Sequence, residues 1–168
     1  WKAPFYCDNR KTLSYHDVRS FVKLELVHAV LKNFPEATAV AGVATGAIAQ
    51  GMLVADELAL PYAYVRPKPK DHGMKNQIEG ELPTGAKVVV VEDLISTGGS
   101  SLKAVAALRE AGFEVVGMVA SYTYGFPVAE KAFQEAGVKL VTLTDYEHVV
   151  ETALETGYIK EADVTMLH

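Results

Sequence analysis

Cysteine, tryptophan and long apolar runs are scarce in this chain of 168 residues. It has one cysteine, Cys7, and one tryptophan. A single thiol cannot form an internal disulfide, so the sequence fits a reducing cytoplasm, where we expect the protein to reside. No apolar run approaches the roughly 18 residues that a membrane-spanning helix needs, and no signal peptide is visible. The chain begins at Trp1 without methionine, and we expect further residues upstream of it.

Basic residues are also few: the chain has 16 Lys and Arg and 21 Asp and Glu, which gives a net charge of -5. An acidic balance argues against a general nucleic-acid binder and against a protein that binds membrane surfaces. The histidines are scattered without metal-ligand spacing, so the sequence predicts no dedicated metal site. A GxSxG nucleophile motif is likewise absent.

Strand-like and helix-like segments alternate along the chain and predict one domain over 1–168. Apolar runs indicate strands at 38–43, 62–65, 87–91, 114–122 and 139–143. Apolar periodicity and stop residues indicate helices at 12–34, 47–60, 100–111, 127–136 and 144–156. Ser14 and Thr144 fit helix N-caps, and Phe21 and Leu31 are assigned to the apolar face of the first helix. This order predicts an α/β fold with an open, mostly parallel twisted sheet flanked by helices.

The most informative stretch is VVVVEDLISTGGSS at 88–101. A buried parallel strand that feeds a Ser/Thr/Gly turn and then a helix N-terminus forms a phosphate site, because backbone N–H groups and the helix dipole converge there. No lysine follows the glycines as in a P-loop, and the adjacent Gly98 and Gly99 do not fit GxGxxG. The turn therefore predicts phosphate binding of another kind.

Glu92 and Asp93 are adjacent, so on a regular strand they face opposite sides of the sheet. Such a pair suits two neighbouring hydroxyls of one sugar better than one metal ion. The alternative is a solvated strand end with a carboxylate that caps the next helix.

Two further segments carry possible anion contacts. Ala44, Thr45 and Gly46 lie between a strand and a helix, where they form either a second anion site or a plain turn. The interval 66–86 has three prolines, three glycines and little periodicity, and predicts a long mobile loop. Its first part, RPKPKDHGMK, has four basic residues against one acidic residue, which suits closure over a polyphosphate. A solvated surface loop is the alternative.

These residues together resemble a known family. VVVVEDLISTGGSS is similar to the phosphoribosyl-diphosphate (PRPP) motif of type I phosphoribosyltransferases. AGVATGAIAQG, YVRPKPKDHGMKNQIEG and YCDNRKTLSY narrow the resemblance to orotate phosphoribosyltransferases of the bacterial form, over about 1–146.

The resemblance implies transfer of ribose 5-phosphate from PRPP to orotate with Mg²⁺, held mainly by PRPP and water. It implies that Glu92 and Asp93 bind the ribose hydroxyls, and that Ser96 and Tyr6 lie near the orotate. It implies a homodimer whose catalytic loop reaches into the neighbouring subunit's site. The residues implied to wrap the 5′-phosphate are Leu94, Ile95, Ser96, Thr97, Gly98, Gly99 and Ser100; the pyrophosphate loop is Ala44, Thr45 and Gly46; the basic catalytic positions are Arg66, Lys70 and His72, with Lys68 as a further PRPP contact.

The chain departs from some family members at two places. Pro67 follows the loop arginine where others have a basic residue, and Lys68 is the nearest substitute. Tyr122, Thr123 and Tyr124 stand where others place an arginine after the strand. Three alternative functions remain open. They are a phosphoribosyltransferase for a purine or uracil, a PRPP-sensing regulator that binds nucleic acid, and a plain nucleotide-binding module.

Overall fold

The computed structural model of the chain describes residues 9–68 and 77–143. The strands are β1 Ala39–Val43, β2 Tyr62–Val65, β3 Ile78–Glu79, β4 Lys87–Ile95, β5 Glu114–Thr123 and β6 Leu140–Thr142. The helices are a 3₁₀ helix at Asn9–Ser14, α1 His16–Asn33, α2 Ile48–Leu58, α3 Gly99–Glu110 and α4 Pro127–Ala136. Strands and helices alternate, as the sequence predicts.

The six strands form one sheet in the order β3-β2-β1-β4-β5-β6. All neighbouring pairs are parallel except β2 with β3, which is antiparallel. The predicted open, mostly parallel α/β fold is therefore confirmed. β2 and β3 lie on one side of β1, and β4, β5 and β6 lie on its other side. The direction of strand addition therefore reverses between β1 and β4, which makes this position a topological switch point.

The four-valine run of β4 lies at the centre of this sheet. Val88, Val89, Val90 and Val91 are each 0% exposed. Val89 and Val91 pack in the cluster that contains α1 and α2 residues, while Val88 and Val90 pack in the cluster with α3 and α4. A strand covered on both faces needs a continuous apolar sequence, which explains the run.

The first helix differs from its prediction. The segment 9–14 is a 3₁₀ helix, and α1 begins at His16 with Tyr15, not Ser14, as its N-cap. Phe21 and Leu31 are 42% and 55% exposed, because the buried stripe of α1 runs through Val18, Val22, Leu26, Val27 and Val30.

Two other predicted boundaries were wrong. β4 continues to Ile95, since its last residues pair with Tyr122 and Thr123 of β5. The interval 66–86 contains strand β3, and Leu82 and Ala86 within it are buried. Gly137 ends α4 in the left-handed conformation, as predicted. The predicted helix at 144–156 lies outside the described residues. Within the described segments, none of the helices has the length and apolar character to span a bilayer.

Candidate active site

Two loops meet at the switch point between β1 and β4. The loop 44–47 leaves β1, and its ends are fixed by hydrogen bonds from the Ala44 N–H to the Val65 carbonyl (2.9 Å) and from the Ala47 N–H to the Val43 carbonyl (3.0 Å). The peptide bond between Ala44 and Thr45 is cis. The turn 96–98 leaves β4. In open α/β sheets the crevice at such a point is the usual ligand site.

Glu92 is the buried member of the acid pair, with 5% of its surface exposed. One carboxylate oxygen, Oε2, accepts a hydrogen bond from the Ser101 hydroxyl at 2.7 Å. The other, Oε1, accepts the backbone N–H of Asp93 at 3.0 Å. Burial, followed by a hydrogen bond with the Asp93 side chain, raises the pKa of Glu92 to about 8. Glu92 therefore joins β4 to the first turn of α3.

The Asp93 side chain lies against the loop that leaves β1. A Cβ placed on Gly46 would overlap the Asp93 carboxylate, with its Cγ at 2.7 Å. Only glycine permits this approach of the loop backbone to the carboxylate. Asp93 is the member of the pair that lies against the loop 44–46, and its side chain also hydrogen-bonds with that of Glu92; the predicted placement of the two acids on opposite sides of the sheet stays a prediction.

The turn after β4 has the form that an anion site needs. Ser96, Thr97, Gly99 and Ser100 are exposed. Gly98 is the N-cap of α3 with φ 88°, and within the described part of the chain no side chain caps this helix. The first N–H groups of α3 therefore have no side-chain acceptor and can receive an anion. Leu94 is half-buried and Ile95 fully buried, so Ile95 can contact a ligand through its backbone alone.

Arg66 lies directly after β2, at the base of the basic loop. Its backbone N–H donates to the Gln77 carbonyl at 2.8 Å, and its own carbonyl accepts from the Gln77 side chain at 3.0 Å. The guanidinium lies 3.6 Å from the Glu79 carboxylate. Lys68 is exposed. Lys70, His72 and Tyr6 lie outside the described residues, so their predicted roles stay predictions.

The structure adds polar residues that the sequence does not single out. Ser101 is one, because nothing in the sequence distinguishes it from the exposed Ser100 beside it. A second is the buried pair in which the Ser121 hydroxyl donates to Gln50 Oε1 at 3.1 Å, which ties the first turn of α2 to β5.

Three rings at the end of β5 form what we call the aromatic row: Tyr122, Tyr124 and Phe126. The centroids of Tyr122 and Tyr124 are 5.6 Å apart with the rings at 88°, and those of Tyr124 and Phe126 are 5.4 Å apart at 20°. The alternation of aromatic with small residues in YTYGF is the sequence signal for the row.

Comparison with known proteins decides the family. Residues 26–156 match the phosphoribosyl transferase domain. The orotate phosphoribosyltransferase of Bacteroides fragilis is 68% identical over 168 residues, which are all of this chain and 79% of that protein. The chain belongs to the orotate phosphoribosyltransferase family. The enzyme of that name from Porphyromonas gingivalis is 64% identical over 167 residues, 99% of this chain and 80% of the relative.

Solved structures agree with this membership of the orotate phosphoribosyltransferase family. The orotate phosphoribosyltransferase of Aeropyrum pernix superposes with a TM-score of 0.72 at 30% identity, over 86% of this chain and 81% of that one. The Mycobacterium tuberculosis enzyme in complex with PRPP has a TM-score of 0.67 at 26% identity, over 82% of this chain and 79% of its own. The family resemblance that the motifs carry is confirmed.

Proposed function

We propose that this chain transfers ribose 5-phosphate from PRPP to N1 of orotate, forming orotidine 5′-monophosphate and pyrophosphate in de novo pyrimidine synthesis. The observation that carries the proposal is the meeting of Asp93, Gly46 and the open N-terminus of α3 at one switch point. A carboxylate for sugar hydroxyls then stands between two loops that offer backbone N–H groups to phosphates at either end of PRPP. Membership of the family supports the choice of orotate.

The roles follow from this placement. The 5′-phosphate binds the turn 96–100 at the start of α3, and the pyrophosphate binds the loop 44–46. Asp93 accepts hydrogen bonds from the ribose hydroxyls. Glu92 accepts hydrogen bonds from the Ser101 hydroxyl and the Asp93 N–H. These bonds fix the position of Asp93.

Catalysis then requires little covalent chemistry from the protein. The bond between the anomeric carbon and the pyrophosphate oxygen breaks while N1 of orotate attacks the same carbon. Arg66, Lys70 and His72 neutralise the charge that accumulates on the leaving pyrophosphate. Their segment excludes water when it covers the ligand, which suppresses hydrolysis of PRPP.

Mg²⁺ fits this scheme as a partner of the substrate. Within 9–68 and 77–143, no three acidic, histidine or cysteine side chains cluster as a metal site. Mg²⁺ keeps several water ligands and commonly enters through one or two carboxylates and substrate phosphates. The Asp93 carboxylate lies against the loop 44–46, so we assign it to the ion and the remaining ligands to PRPP and water. When bound, the ion stabilises negative charge on the leaving group.

We further propose a homodimer in which the basic segment serves the neighbouring subunit, in the cytoplasm. An open cleft of about 730 Å³ lies at the β3 edge of the sheet. Among its lining residues are Met52, Leu60, Tyr64, Glu79 and Gly80. Met52 is 51% exposed, and Glu79 pairs with Arg66 at the loop base, so a subunit seated on this cleft would adjoin that base.

The transferase proposal is tested by following the loss of orotate absorbance with purified protein, Mg²⁺ and PRPP, with adenine, hypoxanthine and uracil in parallel. Turnover of orotate alone is expected. Turnover of another base would overturn the choice of substrate and retain the PRPP site. PRPP binding without turnover of any base would favour a regulator.

The shared-site proposal is tested by mixing two inactive variants, Lys70→Ala and Asp93→Asn. If the basic segment of one subunit completes the active site of the other, each mixed dimer contains one active site without either substitution. Activity should then return. Each variant alone is the control. Mixtures that stay as inactive as the separate variants, although the subunits exchange, would contradict a shared site.

A further inference from the structure

Ser101 is a polar residue on the apolar face of α3. The buried residues of this helix are Ser101, Ala104, Val105 and Leu108, which follow the spacing of one helix face. Ser101 is only 2% exposed, and a hydroxyl buried this deeply needs a hydrogen-bond partner. Its acceptor is the Glu92 carboxylate, at 2.7 Å. The polar residue of this face is therefore directed at the acid pair.

Contacts lead from Ser101 to both loops of the proposed site. Glu92 also accepts the Asp93 N–H at 3.0 Å, and the two acidic side chains hydrogen-bond with each other. The Asp93 carboxylate lies against the loop backbone at Gly46. In the other direction, Ser101 is in the first turn of α3, directly after the turn 96–98. Ser101 and Glu92 therefore connect the proposed 5′-phosphate turn with the carboxylate that we assign to the ribose.

The first turn of α3 is the part of the helix that a bound anion stabilises. The first N–H groups of any helix have no acceptor within the helix, and among the described residues no side chain caps α3. An anion at this end interacts favourably with the helix dipole and accepts the N–H groups. Because Ser101 lies in this turn, an anion that orders the turn also orders the donor to Glu92. Phosphate binding then holds Glu92, and through it Asp93, in one geometry.

We propose that Ser101 is a positioning residue that couples 5′-phosphate binding at the turn 96–100 to ribose binding by Asp93. This inference rests on the proposed transferase function and deepens it, because it makes the ribose contact depend on the phosphate. Such coupling is reciprocal, so a ligand that carries both groups binds more tightly than the two groups do separately. The site thereby favours sugars that carry a 5-phosphate.

The test compares Ser101→Ala and Ser101→Cys with Ser121→Ala by calorimetry. Cysteine is close to serine in size but is a weak hydrogen-bond donor, so Ser101→Cys separates the hydrogen bond from the packing. Ser121 is 0% exposed and also donates to a buried side chain, that of Gln50, so Ser121→Ala removes a matched hydroxyl that has no bond to the acid pair.

Both Ser101 variants should raise the Kd for PRPP with Mg²⁺ about 5- to 150-fold, the range of a typical coupling between two sites. Their Kd for inorganic phosphate should stay at the wild-type value, because the N–H groups of the turn remain. Ser121→Ala should keep the wild-type Kd for PRPP. Damage to the fold of α3 would instead weaken PRPP and inorganic phosphate alike.

A double substitution shows whether Ser101 acts through Asp93. In Asp93→Asn the carboxylate is already lost, so adding Ser101→Ala should leave the Kd for PRPP unchanged. Two substitutions that remove the same interaction are not additive, whereas independent substitutions are. A role of Ser101 that does not involve Asp93 would raise the Kd for PRPP by the same factor in both backgrounds.

Three results would overturn the inference: an unchanged Kd for PRPP in either Ser101 variant, an equal loss of PRPP and inorganic phosphate binding, or the same loss from Ser101→Ala with and without Asp93→Asn. Failure of the transferase proposal looks different, because wild-type protein would then show no turnover of orotate. The Kd values for PRPP decide the role of Ser101 whether or not a base is turned over.

Discussion

At the scale of single residues, two neighbouring carboxylates have opposite environments. Glu92 is buried under α3 with both oxygens hydrogen-bonded, whereas Asp93 lies against the loop backbone at Gly46. The two side chains remain in contact, since they hydrogen-bond with each other. In the proposed function, Glu92 stabilises the site and Asp93 contacts the ligand.

The raised pKa of Glu92 predicts a pH-dependent stability. Because the folded state holds this proton more tightly than the unfolded state, unfolding releases it between the usual value of 4.5 and about 8. The contribution is complete below 4.5 and is lost as pH rises through about 8. A pKa that differs by one between the folded and unfolded states corresponds to about 1.4 kcal/mol, so the total is at most a few kcal/mol. The free energy of unfolding in urea, measured near pH 5 and near pH 8, should fall more in wild type than in Glu92→Gln.

The exposed Glu110, on α3, provides the matched control. Glu110→Gln should keep the wild-type pH dependence. A wild-type decrease no larger than that of Glu92→Gln would show that this carboxyl does not hold its proton in the folded protein.

The proposed role of Lys70 predicts a kinetic split. Lys70→Ala should lower kcat roughly 100- to 1,000-fold, as expected for one lost contact to transition-state charge. The Kd for PRPP should change far less, because the contact strengthens only as the pyrophosphate leaves. Steady-state kinetics and PRPP calorimetry measure the two quantities. Lys131→Ala, which removes an exposed lysine of α4, is the control, and an unchanged kcat in Lys70→Ala would exclude the role.

At the scale of elements, the close approach of α2 to the sheet places the loop 44–46. Gly42 in β1 and Gly51 in α2 both face the Tyr62 side chain, whose hydroxyl donates to the Ile48 carbonyl at 2.7 Å. A Cβ on Gly51 would lie 2.8 Å from the Tyr62 hydroxyl oxygen, and one on Gly42 would overlap it. The two glycines therefore set how near the first turn of α2 can lie to β1.

Gly51→Ala tests this packing, because two effects of opposite sign compete. Alanine favours a helix interior by up to about 1 kcal/mol, while overpacking a filled site costs about 1–3 kcal/mol. We expect a lower free energy of unfolding in urea. Adding Tyr62→Phe should recover part of the loss, since the hydroxyl oxygen is the nearest atom. A more stable Gly51→Ala protein would contradict the close packing.

Most elements follow from the sequence because their causes are local. The buried valines of β4 and the Gly137 stop of α4 need no tertiary information. β3 cannot be predicted, since its two residues are a strand only through pairing with Tyr64 and Val65. Ser101 cannot be separated from Ser100, because the inward-facing serine depends on where α3 begins, and helix starts are uncertain by a residue or two.

At the scale of the whole molecule, the proposed site joins separate parts of the sheet. β1, β4 and the helices that follow them each contribute, so we expect PRPP to bind only the assembled fold. A ligand that binds the folded state alone stabilises it by mass action.

PRPP with Mg²⁺ should therefore raise the Tm. At 100 times its Kd the ligand adds about 2.7 kcal/mol, which for a domain of this size corresponds to roughly 5–11 °C. Thermal unfolding followed by circular dichroism measures the shift. Removing Mg²⁺ with a chelator should reduce it, and Asp93→Asn should show a smaller shift than wild type. An identical Tm with and without PRPP would argue against the site.

The double hydrogen bond between Arg66 and Gln77 has a consequence for how such proteins can change. It closes the two ends of the intervening segment at the sheet edge, and the register of β2 with β3 is fixed from that point onward. We therefore expect that residues 67–76 can be exchanged, lengthened or shortened without a change in the register of β2 with β3. A chimaera that carries the corresponding segment of a relative would keep the scaffold and inherit only that segment's chemistry.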